Sequence, residues 1–174
     1  MLIKICVLTA ISLIAFCSVS ISGQTKARFV SQDGGFTIDL PREGYQGIEP
    51  IGDLTSGAGT YAWMTDDGQF SVSYLEGAFS IQGANDSLNT LADTIIKSPV
   101  NRESTILARR QFVSNGDPVV ELKIKRPQGF AINRLVMFKR RLFVITADWT
   151  KGDGKAAADI LNSFVITDGR LLIA

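Results

Sequence analysis

Histidine is absent from all 174 residues, which removes the commonest general base and the commonest transition-metal ligand together. Only two cysteines occur, Cys6 and Cys17, and both fall in the leading segment. A chain that loses this segment has neither a disulfide framework nor a thiol nucleophile. An excess of charge of one sign is also missing: 18 Lys plus Arg stand against 17 Asp plus Glu, a formal net charge of +1. Electrostatic polynucleotide binders carry a clear basic excess, so no nucleic-acid partner is expected. No Ser-x-x-Lys sequence occurs, so a serine nucleophile would lack the lysine base that stands in for histidine in some hydrolases. No cofactor and no metal are expected. The catalytic alternative these absences leave is paired-carboxylate hydrolysis, which needs two acids facing each other about 5 to 9 Å apart.

What is present describes a globular protein, with 45% hydrophobic and 20% charged residues. Met1 to Lys4 is a short basic start, and Ile5 to Ile21 is an apolar run broken only by Thr, Ser and Cys. That is the layout of a secretory signal peptide. Small residues at Ser20, Ser22 and Gly23 place cleavage near Gly23, so residues 1–23 read as a signal peptide and 24–174 as one exported domain. An uncleaved membrane anchor is the alternative, because a run of about seventeen residues sits at the lower limit for a spanning helix. A lipoprotein reading would use Ile14-Ala15-Phe16-Cys17, but Phe16 stands where a lipobox has a small residue. A membrane is therefore a partner only if the leader is retained or lipidated.

Roughly 150 residues then remain, enough to bury about two-thirds of the unfolded chain's surface without staples. No internal repeat, low-complexity tract or Pro/Ser-rich linker divides them. Phe36, Ile38 and Leu40 alternate with Thr37 and Asp39, the pattern of a strand with one buried face, after a turn at Gly34-Gly35. Pro41 to Gly59 is rich in Gly, Pro and acidic residues and reads as an irregular surface connection. Thr60–Thr65 and Phe70–Leu75 form a hairpin across Asp66 to Gln69, with Phe70, Val72 and Tyr74 on one face. Leu88, Leu91, Ala92, Ile95 and Ile96 make the apolar stripe of a helix that Asn85 or Asp86 would cap and Pro99 would end.

Thr105–Val113 and Val119–Lys125 read as a second hairpin, across Asn115-Gly116, with Val120, Leu122 and Ile124 facing inward. After a turn at Arg126 to Gly129, the strands Phe130–Phe138 and Leu142–Trp149 are apolar on both faces, so both need cover. A second helix with Ala157, Ile160, Leu161 and Phe164 on its stripe, capped by Asp153, supplies some of it. The expected fold is α+β, an antiparallel β-sheet of about six to seven strands flanked by helices on both faces, an α/β/α sandwich.

Four features together resemble small exported domains of the PsbP-like type. These are the opening Phe36-Thr37-Ile38-Asp39-Leu40-Pro41, the mid-chain amphipathic helix followed by a strand meander, the basic turn in Phe138-Lys139-Arg140-Arg141-Leu142-Phe143, and the closing Leu161-Asn162-Ser163-Phe164. The likeness spans roughly residues 29 to 167. It implies an antiparallel sheet flanked by helices and a binding or assembly role rather than an enzymatic one. In photosynthetic members the domain is an extrinsic, lumen-side subunit supporting a metal cofactor held by another protein. This chain departs from any metal-handling version in having no histidine, so the resemblance implies the fold and assigns no functional residue.

Binding candidates are few. Lys139, Arg140 and Arg141 form the densest basic cluster, at a hairpin tip, where they would meet an anionic surface or acidic partner, or simply be solvated. Arg109 and Arg110 point to opposite faces of one strand and cannot act as one clamp. Trp63 and Trp149, with Tyr61, would form an aromatic platform if exposed, or pack in the core. Asp66-Asp67 and the stretch from Asp148 to Asp153 gather oxygen ligands without the spacing of a calcium loop, so turn formation and capping explain them. The reading is an exported non-catalytic domain that binds a protein or envelope component through a sheet edge or helix-free rim. A small-ligand carrier with a pocket between sheet and helix, near Pro41 to Gly59, is the alternative.

Overall fold

The computed structural model describes residues 26–41, 46–51, 57–66, 68–77, 83–152 and 154–167; the leader, Asp67 and Asp153 lie outside the described residues. The described residues begin with β1 (Lys26–Ser31) and β2 (Phe36–Pro41), which pair antiparallel through a turn at residues 32–35. Gly34 is required there, because a Cβ would crowd the Phe36 ring and the Ser31 hydroxyl that accepts its own N–H. Phe36, Ile38 and Leu40 are all buried, as their alternation predicts. β3 (Gln46–Ile51), β4 (Ala58–Thr65) and β5 (Gly68–Glu76) follow, then α1 (Ala84–Lys97) and a 3₁₀ turn at Pro99–Asn101. β6 (Thr105–Ser114), β7 (Asp117–Arg126), β8 (Gly129–Phe138) and β9 (Arg141–Trp149) form a meander, and α2 (Lys155–Asn162) and the short β10 (Val165–Ile166) complete the described chain.

Seven strands join in one antiparallel sheet, ordered β3-β4-β5-β9-β8-β7-β6. The three others form a separate sheet, β1-β2-β10. This corrects the expectation in two places. β2 lies in the small sheet rather than the large one, and the stretch from Pro41 to Gly59 contains β3, paired with β4 from Gln46↔Met64 to Ile51↔Thr60 around a register shift. Gly47 and Pro50 hide this strand from any propensity argument, yet both are tolerated on a sheet edge, where one side of the backbone needs no partner.

The turns follow their residues. Asn115 and Gly116 take φ of 53° and 90°, the positive values that a two-residue hairpin loop demands. Lys139, also at φ 53°, does the same between β8 and β9. The helix ends do not follow the expected caps. Gly83 rather than Asn85 or Asp86 stands before α1, and Gly154, at φ 74°, stands before α2, neither with a side-chain cap. Burial of the stripes holds these helices in place of capping.

The described core falls into two clusters. One combines Phe36, Ile38 and Leu40 of the small sheet with Trp63, Phe70, Val72, Tyr74, Val119, Ile132, Val136, Phe143, Ile145, Ala147 and Trp149, and with Ala157, Ile160 and Leu161 of α2. The other joins Ala84, Leu88 and Ala92 of α1 to Val120, Leu122, Ile124, Ala131, Leu135, Met137 and Leu142. β7, β8 and β9 thus give alternate residues to each cluster. Asn133 is the polar exception among the buried β8 side chains. Its Oδ1 accepts from the Thr146 hydroxyl at 3.0 Å, and its Nδ2 has no partner among the described residues.

Candidate functional site

The basic triplet is not one patch. Lys139 lies 5.0 Å from the centre of the Phe138 ring, and Arg140 donates to the Gly77 carbonyl at 3.2 Å while accepting from the Gly77 N–H at 3.0 Å. Arg141 is turned inward. Its guanidinium donates to the carbonyls of Gly34 at 2.8 Å and Asp33 at 3.3 Å and to Glu76 Oε2 at 2.8 Å, and it lies 5.5 Å from the Tyr74 ring centre. Burial is the main cause raising the Tyr74 hydroxyl pKa above its ordinary value. Arg141 therefore ties the turn of the small sheet to β5 and β9.

Trp63 and Trp149 are buried, at 2% and 6% exposure. Trp63 sits in a ring cluster with Phe29 at 5.1 Å and Tyr61 at 6.3 Å, wedged between the small sheet and β4, while Trp149 stacks on Phe130 at 5.6 Å. Both indoles pack inside because each lies on the strand face that closes the core shared with the small sheet and α2. They form no exposed platform.

Acids meet arginines throughout the described residues. Arg28 pairs with Asp39, Arg109 with Asp93, Arg126 with Asp148, Arg134 with Glu121 and Arg141 with Glu76. The tightest network is at Arg134, which reaches Glu121 Oε2 through Nε at 2.9 Å and a terminal nitrogen at 2.7 Å. It also donates to the Leu161 carbonyl and the Asn162 amide oxygen at the end of α2. Asp148, from the candidate calcium stretch, accepts from Arg126 at 2.6 Å, and Arg126 also donates to Asn101 at 3.1 Å. Burial raises the Asp148 pKa, while Arg126 pulls it down. Asp66 is exposed at its turn. Among the described residues no group of three or more metal-ligating side chains gathers. The carrier reading's segment, Pro41 to Gly59, falls partly outside the described residues.

One open feature is a segment that the sequence marks only as a strand. β6 forms an edge of the seven-stranded sheet, and residues 109–114 along it are exposed without exception. Leu107, Phe112 and Val113 are 47%, 38% and 69% exposed. A register shift between Ile106 and Ala108 interrupts the ladder, and from Ala108 to Ser114 the pairing with β7 is regular. Arg109 is drawn onto α1, where it meets Asp93 at 2.6 Å and the Asn89 side chain at 2.7 Å. Arg110 faces the other way, opposite Glu121, whose carboxylate Arg134 already occupies. Which strand becomes an edge depends on the order of strands, a signal that residue periodicity does not carry.

No protein-family model matches the chain, and no curated protein does. Among solved structures, the solution structure of cyanobacterial PsbP (CyanoP) from Synechocystis sp. PCC 6803 is similar, with a TM-score of 0.57 at 12% identity over 84% of this chain and 95% of that one. A crystal structure from Bacteroides thetaiotaomicron VPI-5482 reaches a TM-score of 0.46 at 15% identity over 82% of this chain and 48% of that one. The fold is PsbP-like. No helix among the described residues is long and apolar enough to cross a membrane.

Proposed function

We propose that the chain is an exported, non-catalytic binding or assembly domain that engages a protein or envelope component through the β6 rim of its large sheet. The carrying observation is the open β6 edge, a regular run of strand with exposed Phe112 and Val113 and backbone groups facing outward at alternate residues. Uncovered edges of this kind are templates for adding a strand, and natural proteins usually blunt them. Support for export comes from the signal-peptide layout of residues 1–23, and membrane attachment follows only if that leader is retained or lipidated. We read the whole as an α/β/α sandwich. The alternation of β7, β8 and β9 between the α1 cluster and the α2 cluster supports it, with the β1-β2-β10 sheet sharing cover of the α2 side. The pairing of five carboxylates with arginines favours a structural use of charge over an acid–base pair.

The test places a photo-crosslinking residue at Gln111 on the β6 rim and, as a control, at exposed Glu103, in the full chain expressed in its host. A discrete adduct at 111 but not at 103 supports the rim as the binding surface. Equal adducts at both, or none at 111, overturn it. Intact mass of the recovered chain reads the leader at the same time: loss of about 23 residues supports export, and an intact amino terminus overturns cleavage.

A further inference from the structure

We infer that the occupant of the β6 edge is a second copy of this chain, paired antiparallel about a two-fold axis at Phe112 so that the two large sheets become continuous. The inference deepens the rim reading of the function and rests on it for the surface alone. Successive residues of a strand alternate faces, so Arg110, Phe112 and Ser114 share one face of β6. Ser114 lies directly opposite Asp117 on β7, which puts Asp117 on that same face.

A two-fold axis perpendicular to the sheet at Phe112 keeps like faces together and sets Phe112 against Phe112, Gln111 against Val113 and Arg110 against Ser114. Arg110 of one copy then lies two strand spacings, about 10 Å, from Asp117 of the other, a gap that a long guanidinium and a short carboxylate span together. The symmetry repeats the pair on the other side.

Among the described residues both charges lack a partner of their own. Arg110 faces Glu121, which Arg134 holds through two nitrogens at 2.9 and 2.7 Å. No cation among the described residues pairs with Asp117, and burial alone raises its pKa. One hairpin thus carries a cation and an anion in positions that become complementary only when the hairpin meets itself. Registers centred on Arg109 or Arg110 would oppose like charges and are disfavoured. The register shift at Leu107 ends the pairing on one side and the Asn115-Gly116 turn ends it on the other, so the ladder is short and self-association is weak.

Sedimentation velocity on the full chain as its host processes it, over a range of concentrations, reads the outcome. Twice the chain mass is expected at high concentration. Arg110→Asp or Asp117→Arg alone should weaken association by about tenfold, and the two together should restore it. Far-UV circular dichroism checks that each variant folds. A monomer at every concentration, or association indifferent to the single reversals, overturns the inference. The Gln111 crosslink on the otherwise unaltered chain gives an answer that needs no charge variant. An adduct of twice the chain mass supports self-pairing, an adduct with another protein overturns it while leaving the rim reading intact, and the absence of any adduct overturns both.

Discussion

Arg141, the first residue of β9, donates to the main-chain carbonyl of Gly34 at 2.8 Å, across 107 positions of sequence. The contact joins the turn between β1 and β2 to the large sheet, and the same guanidinium holds Glu76 on β5. A residue that looks like surface charge in the triplet from Lys139 to Arg141 is a tie between two sheets.

Arg141→Ala should therefore destabilise the fold by about 1.5–3 kcal/mol, the range for hydrogen bonds to a charged group. Arg141→Lys should recover only part of it, because one ammonium cannot serve Gly34, Asp33 and Glu76 together. Lys139→Ala should cost under about 0.5 kcal/mol. Urea denaturation of the three variants decides the matter, and equal losses for Arg141→Ala and Lys139→Ala would sink it.

The pair Arg134 and Glu121 should outweigh the pair Arg109 and Asp93. The first is 17% and 18% exposed and is reinforced by two acceptors at the end of α2; the second is 36% and 51% exposed. We expect Arg134→Ala to cost about 1.5–3 kcal/mol, since it removes charged hydrogen bonds to Glu121 and to the end of α2 together, and Arg109→Ala under about 1 kcal/mol. Thermal melts in low and high salt would show it: raising salt should erase the Arg109 effect first.

Asp148 gives a pH dependence of defined sign. Burial raises its folded pKa above the ordinary 3.8 of an unfolded aspartate, so the folded state holds the proton more tightly. Its contribution is fullest below the unfolded value and is lost as pH rises through the folded one. The stability of the unaltered chain minus that of Asp148→Asn should accordingly grow as pH falls from about 7 to about 4. If the difference shrinks instead, pairing with Arg126 dominates over burial.

Gly154→Ala should disturb Trp149. Gly154 has φ 74°, and a Cβ there would overlap the indole ring. A left-handed alanine and the overpacking together cost roughly 2–4 kcal/mol. Stability by urea unfolding should fall accordingly, and tryptophan emission should shift to longer wavelength as the ring is displaced. An unchanged spectrum with unchanged stability would show that the start of α2 yields freely.

Much of the architecture was legible because it rests on periodicity. Phe36, Ile38 and Leu40, the inward face of the β4–β5 hairpin and the stripe from Leu88 to Ile96 follow from spacings of two or of three and four, the Asn115-Gly116 turn from residues that accept positive φ, and the double-faced strands β8 and β9 from apolar residues on both faces. β3 was not legible, since Gly47 and Pro50 break its pattern and its pairing with β4 comes from a neighbour rather than from its own residues. The small sheet was missed for the same reason: β1 and β10 exist as strands because β2 lies between them. Among candidate site residues, the split of the triplet from Lys139 to Arg141 and the burial of Trp63 and Trp149 depended on which elements come to lie beside them.

Residue order alone settled the alternation, the turns and the helical stripes. These are local properties, set by backbone geometry and by which side of an element is apolar. Assembly settled the rest: which strand is an edge, which arginine finds a carbonyl 107 positions away, and which charges are left to face outward. Those outcomes depend on contacts between residues distant in sequence, and a long-range pairing stabilises the chain only after the entropy of closing the intervening loop has been overcome. β6 is exposed because six other strands of its sheet lie to one side of it and, among the described residues, none lies on the other.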